Sequence, residues 1–203
     1  MFEYRTLPII FPEKEIFLRL GGHLTKTQLL PEEKCRFLRS ARAAFELCRP
    51  AGRWEIFPVE SVDPQGVTLQ DGTLIPGGDF AARCQGITHL WCAAVTVGSE
   101  VTDARDHISD VTTKAIYDAA ASESADAAMD AIFTLSRTSL RRQAMELDKN
   151  RYSPGYGDMP LPVQKFFFSA LKLEELDLTL NENFYLIPEK SVTAFAGIKK
   201  IKE

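Results

Sequence analysis

Residues 87–101 read "ITHLWCAAVTVGSEV", a run rich in β-branched and aromatic side chains between Gly86 and Gly98. Such side chains fit a pleated, covered surface, so the run predicts a central strand. The next segment is of another kind. From about Val111 to Leu147 the chain is rich in alanine and holds no Gly or Pro, which predicts one long helix or two abutting ones. Within it, "AIYDAAASESADAAMDAIF" (115–133) sets Ile116, Ala119, Ala120, Ala127 and Ile132 on one side, a surface small enough for very close packing.

Upstream, "FPEKEIFLRLGG" (11–22) places Pro12 at a helix start and Gly21 at its stop. "LPEEKCRFLRSARAAFELCRP" (30–50) repeats the pattern, with Cys35, Leu38, Ala41, Phe45 and Cys48 near a helical period between Pro31 and Pro50. From Trp54 to Ile75 the pieces "WEIFPVESV", "GVTLQ" and "TLI" are separated by Asp63-Pro64-Gln65-Gly66 and Asp71-Gly72, turn signals between short antiparallel strands. Downstream, "PVQKFFFSALKLEEL" (162–176) predicts a short helix, and "LTLNENFYLIPEKSVTAFAGI" (178–198) two strands joined through "PEKS". Strands and helices come in runs rather than in βαβ alternation, so the class is α+β.

A chain of 203 residues, 45% apolar and 26% charged, can bury a core as a single unit. We divide it into a helical and β-hairpin part (1–85) and a core that carries the binding chemistry (86–203). The formal charge of -4 is spread along the chain and gives no footprint for nucleic acid or an anionic membrane. No apolar run approaches the length of a membrane span, and the first residues lack a secretory signal pattern, so a cytoplasmic protein is expected. Cys35, Cys48, Cys84 and Cys92 form no CxxC pair, and His23, His89 and His107 stand apart from one another, so neither disulfides nor a metal site is expected.

The chemistry concentrates in "RYSPGYGDMP" (151–160). Ser153-Pro154-Gly155-Tyr156 predicts a type II turn, with proline setting φ at its second position and glycine taking positive φ at its third. The turn is expected to leave backbone groups of Ser153, Gly155 and Tyr156 facing a ligand. Arg151 offers a planar fork for a carboxylate, and Tyr156 an aromatic face and a hydroxyl. A zwitterionic amino-acid moiety fits this set. No Rossmann fingerprint, P-loop or nucleophile elbow is present, since Pro160 stands where "GYG" would need a third glycine. Asp118, Asp126 and Asp130 can share a face of the alanine-rich helix, an arrangement most often no more than a solvated surface.

"RYSPGYG", with "LTLNENFYLIPEKSVTAF" (178–195) after it, resembles the reactivation domain of cobalamin-dependent methionine synthase. Arg151, Ser153, Pro154, Gly155 and Tyr156, then Leu180, Glu182, Pro188, Ser191 and Val192, fall in the order of that family's two motifs. More weakly, Thr96 and Gly98 match a family strand end. Ala125-Asp126-Ala127 takes the place of a family glutamate, one methylene shorter. The resemblance implies a twisted antiparallel sheet with flanking helices, and an S-adenosylmethionine site formed by Arg151, Ser153, Gly155, Tyr156, Asp126 and Glu182. It implies further that the domain covers a partner's cobalamin and presents S-adenosylmethionine while a flavodoxin or ferredoxin donates an electron. The protein then supplies proximity and orientation, because the nucleophile is cobalt. With no room for homocysteine, folate and cobalamin modules, the chain is expected to act in trans on methionine synthase or another corrinoid protein.

Overall fold

The computed structural model describes residues 1–23 and 25–201. In chain order the elements are β1 (Phe2–Tyr4), α1 (Glu13–Arg19), α2 (Pro31–Leu47), β2 (Ala51–Asp63), β3 (Gly66–Leu69), β4 (Leu74–Pro76), α3 (Gly78–Arg83) and β5 (His89–Thr96). They continue with α4 (Glu100–Asp106), α5 (Val111–Arg141), β6 (Met145–Leu147), α6 (Gln164–Ala170), β7 (Thr179–Leu180), β8 (Leu186–Ile187) and β9 (Ser191–Lys200).

The β-branched and aromatic run supplies β5, the centre of the sheet. Strand order is β4-β3-β2-β5-β9-β6, with β1 added to β2, and every pairing is antiparallel. The long β2 serves two neighbourhoods: Ala51–Pro58 pairs with β5, and beyond a register shift at Val59/Ser61 the strand pairs with β3. Alternation along β5 divides the core. Trp91, Ala93 and Val95 face α5, whereas Leu90, Cys92 and Ala94 face the layer holding α3 and α6. β9 follows suit, with Ala194, Ala196 and Ile198 on the first face and Phe195 on the second.

Small residues let α5 approach closely. A Cβ on Gly52 would sit 2.8 Å from Ala94 O and 3.0 Å from Ile132 Cδ1, so that position must stay bare for strand and helix to meet. The N-terminal half of α5 presents Ala119, Ala120, Ala121 and Ala125 to α1 and α2 through Ile16, Phe37, Ala41 and Ala44. Arg53, 1% exposed, ties the edge together: it pairs with the carboxylates of Glu3 and Glu175 and donates to the carbonyls of Leu171 (3.1 Å) and Lys172 (2.7 Å).

Three expectations need correction. The alanine-rich helix does not reach Leu147: it stops at Arg141, Ala144 takes φ 55°, and Met145–Leu147 becomes an edge strand on β9. No residue in that stretch forbids helix; the unpaired edge of β9 supplies backbone partners that a helix end lacks. "PEKS" does connect two strands, β8 and β9, but β8 pairs with β7 in a separate hairpin whereas β9 enters the main sheet. The tail of the 87–101 run, Glu100 onward, already belongs to α4. Lastly, α3 and β1 lie outside every predicted element. No helix among the described residues is long and apolar enough to cross a membrane.

Candidate functional site

The 151–160 segment folds back on itself and is anchored at both ends. Tyr152 exchanges both backbone hydrogen bonds with Phe195 of β9, at 2.9 and 2.8 Å. Gly155 adopts φ 88° and Tyr156 N donates to Ser153 O at 3.3 Å, the expected type II turn. Gly155 N then donates to Met159 O and Met159 N to Tyr156 O, at 2.9 and 3.2 Å, while the Met159 side chain enters the core. The Asp158 carboxylate accepts from the amides of Gly78 and Asp79 at the start of α3. The amides of Gly155 and Tyr156, expected to face a ligand, are therefore spent within the loop, because a segment closing so tightly must satisfy its own polar groups.

Side chains make the site instead. A cavity of about 630 Å³ lies between α5 and α3, along the edge of β9 and under the 151–159 loop. It brings together Arg151, Ser153, Tyr156 and Asp126, four of the six residues picked from sequence. Gly155 shapes the turn without lining the cavity, and Glu182 is exposed at the tip of the β7–β8 hairpin, apart from the cleft. Glu182 thus lies outside the cavity lining, because it sits in the turn between β7 and β8, a hairpin separate from the main sheet. Residues not singled out also line the cavity: Asp79, Phe80 and Arg83 from α3, Met129 from α5, Gln164 from α6, and Thr193 from β9. Asp79 and Arg83, four apart, share one helix face, a signal that becomes usable only once α3 is known.

The acidic side chains of α5 are paired, Glu123 and Asp126 sharing Arg19. Asp118 pairs with Arg105 and Lys190, at 2.6 and 2.8 Å. Asp126 meets Arg19 of α1 at 3.1 Å, and Asp130 meets Arg151 at 2.8 Å. The guanidinium of Arg151 also lies over the Phe133 ring, 5.4 Å from its centroid. Asp126 is open to solvent at the cleft wall, yet neighbouring protein and then the Glu123 carboxylate raise its carboxyl above the ordinary value, with Arg19 opposing. Burial likewise raises the Tyr152 hydroxyl, offset by Arg83. The cleft is therefore of mixed sign, suited to a ligand that carries both a carboxylate and a cation.

Neither a family model nor a curated protein matches this sequence. A solved structure does. The crystal structure of the MetH reactivation domain bound to AdoHcy aligns with the whole of this chain and 80% of its own length, at a TM-score of 0.64 and 14% identity. The fold is that of a MetH reactivation domain. Within this reactivation-domain fold, the sheet supplies the β9 edge that floors the cleft, and α5 supplies its acidic wall.

Proposed function

We propose that the protein binds S-adenosylmethionine in this cleft and supports reductive reactivation of cobalamin-dependent methionine synthase in trans. What supports the reading is the convergence of Arg151, Ser153, Tyr156 and Asp126 on one cavity, within a fold whose solved counterpart is described as bound to AdoHcy. A volume of about 630 Å³ suits a nucleoside bearing an amino acid.

Each residue has a role that its surroundings permit. Arg151 receives the ligand carboxylate, exchanging it for Asp130, an ion pair open enough to be worth little. Asp126 draws the ammonium or sulfonium charge, exchanging it for Arg19. Ser153 and the rigid turn hold the walls in place, and Tyr156, 78% exposed, stands at the mouth where a partner protein would arrive. When bound, S-adenosylmethionine would supply the methyl group and leave as S-adenosylhomocysteine, the acceptor being the cobalt of cobalamin on the partner's corrinoid module after its reduction by one electron from a flavodoxin or ferredoxin. No acid or base on this chain is needed for that transfer, so its residues bind and orient.

Calorimetric titration tests the binding half: saturable heat with S-adenosylmethionine, weakened at least tenfold in Arg151→Ala, is expected. Adding the protein to an oxidised methionine synthase lacking its own reactivation domain, with reductant and S-adenosylmethionine, tests the other half; methylcobalamin should reappear. A second reading, a binding or assembly module for another corrinoid methyltransferase without reactivation activity, draws on the shortened carboxylate at Asp126 and its pairing with Arg19. Binding without recovery of methylcobalamin would favour it.

A further inference from the structure

One backbone group in the cleft wall is left over. The N–H and C=O groups of an antiparallel strand alternate between its two neighbours. In β9, Phe195 and Gly197 face away from β5: Phe195 exchanges both bonds with Tyr152, and Gly197 O accepts from Asp148 N at 2.8 Å. The same alternation turns the N–H and C=O of Thr193 to that outer side. Continuing the Tyr152–Phe195 register would set Pro154 opposite Thr193, but a proline has no N–H and the chain turns away there. Ser153 Oγ substitutes for half of the missing pair, donating to Thr193 O at 2.7 Å. The other half has no substitute. The alternation leaves Thr193 N–H without a ladder partner, and among the described residues it meets no carbonyl outside the sheet and no side-chain acceptor, while Thr193 is 2% exposed in the cavity lining. Buried amides are almost always paired, and one aimed into a cleft is a donor held ready for a ligand.

Resting on the S-adenosyl reading, we propose that Thr193 N–H is a ligand-binding donor. It takes an acceptor atom, either a carboxylate oxygen of the amino-acid end or a ring nitrogen of the adenine. Since Ser153 already occupies the carbonyl, this edge selects for an acceptor and disfavours a donor at that point.

Amide NMR of the full chain, titrated with S-adenosylhomocysteine, tests the assignment. The Thr193 amide proton should move downfield and exchange with solvent at least tenfold more slowly, while the Phe195 amide, already bonded to Tyr152, stays in place. Shifts at Tyr156 and Asp126 with an unmoved Thr193 amide would overturn the proposal. An absence of shifts anywhere sinks the S-adenosyl reading and the assignment with it. Separate titrations with L-methionine and adenosine identify the acceptor by which of them moves Thr193. A pair of variants gives an independent readout. Thr193→Pro deletes the N–H where no sheet bond is lost, and Thr193→Val keeps it while dropping the hydroxyl contact to Gln164. Affinity at least tenfold weaker in Thr193→Pro than in Thr193→Val is expected; equal affinity overturns the proposal.

Discussion

At the scale of single residues, the cleft is a set of borrowed charges. Arg151 and Asp126 each have an internal partner that the proposed ligand would replace, and both pairs are open to solvent, so replacement would cost little. Glu182 lies outside the cleft, which separates it from Arg151 experimentally: Glu182→Gln should leave S-adenosylmethionine titrations unchanged, whereas Arg151→Ala should not. Asp126 adds a pH dependence. Its folded-state carboxyl is raised, so protonation favours the folded state; on this account stability is greatest below the ordinary carboxylate range and declines as pH rises through it. Asp126→Asn should remove that decline, raising the melting temperature slightly near neutral pH and not at all in acid, while weakening ligand binding. Thermal unfolding followed by circular dichroism across pH measures the first, and calorimetry the second. The effect on stability stays small because the side chain is 56% exposed.

At the scale of elements, α5 carries both the packing and the acidic wall. Its start is held by Asp110, whose side chain accepts from Thr113 N at 2.7 Å and pairs with Arg36 of α2. The Thr113 side chain first, then its amide, and Arg36 hold the Asp110 carboxyl down to about 2. A lowered folded-state value contributes stability that is complete above the ordinary carboxylate range and lost as pH falls through about 2. Asp110→Ala should accordingly lower the melting temperature by a few degrees at neutral pH, with wild type and variant converging in strong acid. Along the helix, Ala120 is fully buried against α2. Ala120→Leu should cost about 1–3 kcal/mol by overpacking, read as a lower urea midpoint at unchanged slope. The strand β6 gives the opposite lesson. Met145, Glu146 and Leu147 are good helix formers, and only pairing with Ile198–Lys200 makes them extended.

At the scale of the whole molecule, the cleft exists because the sheet is incomplete. β6 covers β9 from Ile198 to Lys200, Asp148 and Tyr152 cover Gly197 and Phe195, and the start of that edge, Ser191–Ala194, borders the cavity. On the proposed reading a ligand there would hold α5, α3 and the loop to one another, so binding should stabilise the whole fold. At a hundredfold excess over the dissociation constant, S-adenosylhomocysteine should add about 2.7 kcal/mol, seen as a rise in melting temperature that Arg151→Ala reduces. The central strand, the helix opened by Pro31 and the turn with positive φ at Gly155 were all legible in the sequence, because each depends on side-chain period or backbone preference within a few residues. The Arg151 and Tyr156 end of the cleft was legible for the same reason: those residues belong to one short loop. What the sequence could not determine was which distant groups would meet that loop. Arg83 and Asp79 arrive on a helix too short to announce itself, Asp126 of α5 was expected at the loop only through the family resemblance, and Thr193 presents a backbone amide only because Pro154 falls opposite it. Local conformation is set by residues close along the chain, whereas the cleft is made by contacts between segments far apart in it, and these are settled only when the two faces of the sheet are buried.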